Sequence, residues 1–373
     1  MEFKIAVDEL QQIFNKLGNV VRQTEDNIVG MVYIEAKDEL CFKATNGSIS
    51  IVIKAFSATV IEEGSALFKF RDLKGYVSKF KPFSEESGTK EFHFLIAKTG
   101  LVKAKTYFND GKSSYHKLHF DIYNIAMFPA IQFNKQYDLV LNSSILKSGI
   151  VKTLQMVNPS EIRRALASLY VKIYNDKIVF VGTDGVRLAE YIISVQTTMD
   201  EKIVLFSYNL ASVLRNLLDV DKQVFIKFGS KYAYLQFDNI FLSGSLIVNE
   251  EYPDYKSLLT NITHTYRFPR LAVYDTLKTI SDTFDTEDDN RVVFEFSSNK
   301  LYIRTLRSEV GYNLDYDVNT PFSFAVNGIL LGSVLEFFMS DNIEICINDE
   351  LKFVIFKSDE EYYTTLVSTL KMV

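Results

Sequence analysis

Apolar positions along the chain switch repeatedly between two periods. Val7, Leu10, Ile13, Phe14 and Leu17 follow the spacing of one helix face. Residues 32–43 alternate in steps of two around Lys37-Asp38-Glu39, which predicts a β-hairpin. The hairpin pattern occurs three times: VYIEAKDELCFKATNGS at 32–48, YVKIYNDKIVFVGTDGV at 170–186 and VVFEFSSNKLYIRTLRS at 292–308. Each is followed by an apolar strand running directly into a helix: ALFKFRDLKGYVSKF from Ala66, KIVLFSYNLASVLRNLL from Lys202 and FSFAVNGILLGSVLEFF from Phe322. Another strand-turn-strand closes each set: EFHFLIAKTGLVKAKTYF, VFIKFGSKYAYLQF and IEICINDELKFVIF. Thr45-Asn46-Gly47 and Thr183-Asp184-Gly185 stand 138 positions apart, and Asp72 and Asn209 stand 137 apart. Each unit therefore reads helix, hairpin, strand-helix, hairpin over roughly 120–140 residues, a threefold internal repeat.

Two apolar-striped helices per unit must cover a face of antiparallel sheet, which predicts an α+β fold. Three such units form an arc whose end strands need partners. Head-to-tail pairing with a second copy would close a ring. The 16 glycines and 6 prolines gather into no linker, so the units are joined tightly. The acidic stretch at 281–290, SDTFDTEDDN, lacks the glycine and terminal glutamate spacing of a calcium loop and reads as a solvated loop.

Composition narrows the function. At ~150 residues per domain, 373 residues suggest two or three domains. Two cysteines, Cys41 and Cys346, exclude a disulfide framework and a cysteine-rich zinc site. The N-terminus is charged where a signal peptide has its apolar core, and no apolar run is long enough to span a membrane, so a cytoplasmic protein is expected. The net charge of -6 excludes a uniformly basic nucleic-acid surface. Any DNA contact must rest on local basic stripes. With Arg71 as origin on a helix over 71–81, Leu73, Tyr76, Val77 and Phe80 fall at about 140–240°, and Lys74, Ser78 and Lys81 at about 280–340°. The helix after Asn142 carries Lys147 and Lys152, about 140° apart. The helix from near Phe206 offers Arg215, and that from near Pro269 offers Arg270 and Lys278. The helix over 327–339 has no Lys or Arg. This pattern suggests basic helix faces with acid on the outer sheets, suited to sequence-independent phosphate contact.

No catalytic constellation stands out. His93, His116, His119 and His264 show no tight ligand spacing, and no phosphate-cradling glycine motif or nucleophile elbow is present. Asp184 lies in an Asp-Gly pair after a strand, which is turn chemistry. Nothing calls for an enzyme, a metal or a cofactor.

Five segments carry a family likeness. GTDGVRLAEY at 182–191 resembles the T-D-G-H-R-L-A segment of bacterial DNA polymerase III beta subunits, the sliding clamps. EEYPDYKSLL at 250–259 resembles their F-P-D-Y-x-x-V-L-P segment. MEFKIAVDELQQ resembles their N-terminus, VNGILLGSVLEFF their N-x-x-Y-L-x-x-x-L helix, and TTLVSTLKMV their V-V-M-P-M-R-L ending. The matches run in order along essentially the whole chain.

The resemblance implies three clamp-type domains, 1–132, 133–259 and 260–373, with two helices packed on antiparallel sheets in each. It implies a head-to-tail homodimeric ring around double-stranded DNA that tethers a DNA polymerase and is opened by a clamp loader. It also implies a peptide pocket of Leu166, Thr183, Gly185, Val186, Arg187, Leu188, Pro253, Leu258, Asn327, Leu330, Val367, Ser368, Leu370 and Met372. Arg22 matches a DNA-contacting arginine of the family, joining Arg71, Lys74, Lys81, Lys147, Lys152, Arg215 and Lys278 as DNA-binding candidates. The chain departs from the family at Val186 for histidine, Ser257 for arginine, Thr260 for proline, and Ser368-Thr369 for Met-Pro. These departures keep open an alternative, a clamp-like scaffold that binds partner peptides without encircling DNA.

Overall fold

The computed structural model describes the chain apart from residues 81–88, 98, 109–111, 132–135, 198, 220, 261, 349, 359–361 and 373, and the side chains of 89 and 319. Its helices are α1 (Val7–Leu17), α2 (Phe70–Val77), α3 (Ser143–Leu154), α4 (Tyr208–Leu217), α5 (Arg270–Thr279) and α6 (Gly328–Leu335). All six fall where the sequence reading expects a helix. α2 and α6 are shorter than the stretches 71–81 and 327–339 expected from sequence.

The chain forms two compact units, Met1–Lys147 with Asn209–Val248, and Ser148–Tyr208 with Asn249–Val373. This grouping cuts across the sequence repeat, because strands of the middle repeat are shared out between the units. In the first unit, a five-stranded antiparallel sheet runs in the order Thr59–Glu62, Glu2–Ala6, Thr89–Ile96, Leu101–Phe108, Ser113–His119. A longer sheet carries the first hairpin, Met31–Ala36 with Leu40–Thr45, through Ile49–Lys54 into Ile240–Ile247 and on to Tyr232–Phe237 and Gln223–Phe228. The joint is a ladder of Ile240 opposite Ile53 through Gly244 opposite Ile49.

In the second unit, one antiparallel sheet runs Lys202–Ser207, Ser168–Ile173, Lys177–Thr183, Arg187–Ser194, Tyr363–Ser368, Phe353–Ser358, Ile343–Ile347, His264–Phe268. Here the joint is Arg187 opposite Val367 through Tyr191 opposite Tyr363. The third expected hairpin does not close on itself. Arg291–Arg304 is a single strand, bulged between Phe296 and Lys300, and it pairs along Glu309–Asn327. Cross-strand rings hold that pairing: Phe296 stacks on Phe322 at 4.6 Å and Phe294 on Phe324 at 5.1 Å. The acidic stretch contains two short 3-10 turns, Ser281–Thr283 and Thr286–Asp288.

Packing explains why these residues form these elements. α1 buries Val7, Leu10, Ile13, Phe14 and Leu17, and the Phe14 ring meets Phe70 at 5.5 Å and Phe42 at 6.1 Å. Gln11 Nε2 donates to the Val77 and Phe80 carbonyls at 3.0 and 2.8 Å, so α1 satisfies the end of α2. In the second unit, Gly149 and Gly182 admit close approach. A Cβ on Gly182 would lie 2.1 Å from the Thr153 carbonyl oxygen, and one on Gly149 2.5 Å from the Phe180 ring. Gly182→Ala should therefore cost about 2–3 kcal/mol, because backbone cannot step aside. Gly75→Ala, in open space on α2, should stabilise by about 0.5–1 kcal/mol. Urea unfolding of both variants tests the contrast.

Tyr76 sits among Phe80, Phe92, His116 and Phe120, with its hydroxyl buried and unpartnered. Burial pushes its phenol up from 10.0 to about 12. The neutral ring is favoured in the fold, so its contribution is complete below pH 10 and is lost as pH rises through 12. Tyr76→Phe removes an unsatisfied hydroxyl, and its urea midpoint should fall less between pH 10 and 12 than that of the parent chain.

Candidate functional site

The turn after Lys177–Thr183 is closed by its own side chains together with a backbone bond from Asp184 N to Arg187 O at 3.3 Å. Thr183 Oγ1 donates to the Arg187 carbonyl at 2.6 Å and accepts from Gly185 N at 3.1 Å. Asp184 Oδ1 accepts from Val186 N and Arg187 N at 2.9 and 2.6 Å. Gly185 has φ +84°, a conformation that favours glycine. The first repeat builds the same turn: Thr45 Oγ1 donates to Ile49 O at 3.0 Å, Asn46 Oδ1 accepts from Ile49 N at 2.8 Å, and Gly47 has φ +88°. Asp184 is thus a turn residue, as its sequence context implies.

Arg187 is fully engaged. Its Nε and Nη2 donate to Asp184 Oδ2 at 2.9 and 2.8 Å, and Nη1 donates to Ser333 Oγ at 2.5 Å. Ser333 Oγ in turn donates to Leu330 O on α6 at 2.6 Å. Asn327 caps α6 by accepting from Leu330 N at 3.1 Å. Ser368 N donates to Val186 O at 2.9 Å, and Leu370 N to Ala325 O at 2.7 Å. The structure therefore draws Thr183, Gly185, Val186, Arg187, Leu188, Asn327, Leu330, Val367, Ser368 and Leu370 around one turn and the C-terminal strand.

Register divides this group between two faces. Thr183 lies opposite Leu188, and Leu188 opposite Leu366, so these three share a face. Arg187 and Val367 share the other, where Val367 joins a core with Met156, Ala189 and Phe338. Val367 is thus a core residue, and Leu366 is the C-terminal residue that stands beside Leu188. Sequence alone could not choose between them, since a shift of one residue exchanges the faces.

Several candidates are closed off. Leu188 is 2% exposed, and Leu166 and Thr183 are also buried. Val186, Leu258 and Met372 are 44%, 40% and 52% exposed. Met372 and Leu370 line a recess of about 360 Å³ with Phe324 and Leu351. Pro253 lines a different cavity. Glu190, which sequence reasoning missed, is buried on the face of Leu188. It accepts from the Tyr255 hydroxyl at 2.7 Å and pairs with Lys256, pinning the segment after Glu250 onto the sheet. Burial, with Glu190 alongside, pushes the Tyr255 phenol far above its ordinary value.

The basic candidates separate into structural and free groups. Lys147 Nζ donates to Leu218 O at 2.7 Å, at the end of α4. Lys152 Nζ donates to Phe337 O at 3.3 Å and lies over the rings of Tyr191 and Tyr363. Arg270 is buried, with Nε on Ser340 O at 2.8 Å. Lys147 and Lys152 serve helix C-termini, which attract cations, and Arg270 holds the loop after α6, so none of the three forms an exposed stripe. Arg71 pairs with Asp26 and Asp72 at 3.7 and 3.4 Å. Lys74 lies over Phe70 and Lys278 over Tyr274. Arg22 and Lys278 are exposed, and Arg215 is half-buried without an ion pair among the described residues. Lys81 falls outside the described residues. Among the described residues no group of three or more His, Cys, Asp or Glu could hold a metal, and no helix is long and apolar enough to cross a membrane.

Comparison with known proteins gives matches in both sequence and fold. A family model for the DNA polymerase III beta subunit, central domain, matches residues 140–254. The beta sliding clamp of Chlamydia muridarum is 27% identical over 319 residues, covering 83% of this chain and 82% of that protein. The crystal structure of the DNA polymerase III subunit beta from Pseudomonas aeruginosa matches with TM-score 0.88 at 16% identity over 100% of both chains. That of the Helicobacter pylori beta clamp bound to a DNA ligase peptide matches with TM-score 0.83 at 14% identity, again over 100% of both chains.

Leu188→Ala should lower unfolding free energy by about 2–4 kcal/mol, as a core truncation. Val186→Ala and Met372→Ala should stay within about 0.5 kcal/mol of the parent chain. Chemical denaturation separates the two classes, so only the exposed pair can report cleanly on partner binding.

Proposed function

We propose that this chain, a distant member of the DNA polymerase III beta subunit family, works as a DNA sliding clamp. The observation that carries this reading is the ordered likeness over 83% of the chain to a beta sliding clamp, joined to a fold match over its full length. In this reading, residues 1–132, 133–259 and 260–373 are three clamp domains, and two chains close head to tail into a ring. Duplex DNA passes through the ring, and the tether to it is topological. Processivity then needs no covalent step, which fits a site built of turns, caps and apolar surface. Phosphate contact falls to Arg22, Arg71, Lys74, Arg215 and Lys278, since Lys147 and Lys152 are committed to helix ends. Such contact is sequence-independent and permits sliding.

Partner peptides from the polymerase and clamp loader would dock near the Thr183–Leu188 turn, where Val186 offers exposed apolar surface. The Helicobacter pylori beta clamp, solved bound to a DNA ligase peptide, is a precedent for peptide capture by a chain of this fold. Ser368 and Thr369, in place of the family's Met-Pro, give this surface a more polar edge and a partner motif of its own.

Mass in solution combined with retention on DNA tests the clamp. A species near twice 42.8 kDa, retained on nicked circles and lost on linearisation, is expected. A monomer, or a dimer that leaves both DNAs alike when salt rises, would support the scaffold alternative. In the clamp, replacing Arg22, Arg215 and Lys278 together by Ala should flatten the salt dependence of DNA affinity by about 2–3 in log–log slope. Lys147→Met and Lys152→Met should leave that slope unchanged and cost about 1–2 kcal/mol of stability.

A further inference from the structure

Past Ser368 the chain makes one more isolated bridge, Leu370 with Ala325, and runs on through Met372. The inner end of this arm is fixed by backbone. Ser368 N donates to Val186 O at 2.9 Å, Thr369 N to Lys352 O at 3.0 Å and Leu370 N to Ala325 O at 2.7 Å. Its outer end hangs on one side chain. Arg291 Nη1 donates to the Lys371 carbonyl at 2.6 Å, and among the described residues no other hydrogen bond reaches Lys371 or Met372. The same guanidinium donates through Nε to Asp288 Oδ1 at 2.9 Å. Asp288 ends a short 3-10 turn, and the two residues after it, Asp289 and Asn290, have φ +53° and +52°. Side chains enter that left-handed region at a cost, least for Asp and Asn. Bonds from the start of α6 hold them there: Asn327 Nδ2 donates to Asp289 O at 2.6 Å and Gly328 N to Asn290 O at 2.9 Å. Arg291 therefore ties the outer end of the arm to a loop stitched onto α6, while Val186 holds the inner end. Its side chain is only 17% exposed, so these bonds are largely shielded from water.

We propose that Arg291 is a positioning residue of the partner surface: it clasps the outer end of segment 369–372, keeps Leu370 seated on Ala325, and sets where the exposed Met372 stands. Its consequence for binding rests on the reading above, in which partner peptides dock beside the Thr183–Leu188 turn. A peptide that meets an arm already held loses less freedom than one that must order it. Arginine suits the task because its donors share a rigid plane. Asp288, by taking Nε, fixes the direction in which Nη1 points; an ammonium on a flexible stem carries no such direction. With the clasp open, Leu370 lifts from Ala325, and the recess of about 360 Å³ that it lines with Phe324 and Leu351 loses a wall. The acidic stretch at 281–290 thereby acquires a task, since its Asp288 orients Arg291.

Native-state hydrogen exchange on the full chain tests the clasp, resolved to single amides by fragmentation in the mass spectrometer. Arg291→Gln should speed exchange of the Leu370 amide about tenfold, the weight of one lost charge-assisted bond, and leave the Ser368 amide within about twofold of the parent. A residue that merely stabilised the whole unit would speed both amides alike. Arg291→Lys should not restore protection at Leu370. In chain labelled at its methionine methyls, the Met372 signal, assigned through Met372→Leu, should move toward that of free methionine in Arg291→Gln. The clasp is overturned if Leu370 exchanges as in the parent chain, if Ser368 accelerates equally, if Arg291→Lys behaves as the parent, or if the Met372 signal stays in place. None of these readouts involves DNA or a partner, so loss of the clamp reading and loss of the clasp are told apart.

Discussion

Two backbone ladders hold this molecule to its architecture: residues 49–53 against 240–244, and 187–191 against 363–367. A strand with an unpaired side is a liability, because its N–H and C=O groups seek any partner. Here each repeat offers a strand to the next, so the sheets continue across repeat boundaries. The compact units therefore fail to coincide with the sequence repeat, and the middle repeat is divided between them. The helices are then placed by the sheets they cover, and their ends must be satisfied by whatever lies nearby.

That second requirement consumes much of the basic charge. α6 contains no Lys or Arg, yet the carbonyl of Phe337 just beyond its end receives Lys152 from elsewhere in the chain. The end of α4 receives Lys147, and that of α2 receives Gln11. A cation near a helix C-terminus gains from the aligned peptide dipoles and satisfies an orphan acceptor. Sequence periodicity reports which face of a helix a lysine occupies, but not whether a neighbouring helix end claims it. The uncommitted basic residues are consequently fewer than the sequence suggests.

The turn around Asp184 shows the same economy at the candidate pocket. Thr183, Asp184 and Gly185 close the turn, Asp184 orients Arg187, and Arg187 anchors Ser333 of α6. The polar residues of the pocket are thereby spent on holding shape. Val186, at the tip of the turn, is left as an exposed apolar side chain. A tether suits such a surface, since holding a partner requires shape and burial but no reactive group.

The sequence by itself determined the element types, their threefold order and the Thr-Asp/Asn-Gly turns. These depend on local periodicity and on side chains that bond within three or four residues. It also carried the family likeness, because those short motifs are contiguous. Tertiary structure alone decided that Leu366 rather than Val367 stands beside Leu188, because register is a relation between distant strands. It decided that residues 291–304 form one long bulged strand rather than a hairpin, because Phe294 and Phe296 found their ring partners across a different strand. It also decided which lysines are free, because a helix end is an electrostatic site that exists only once the helix has been placed.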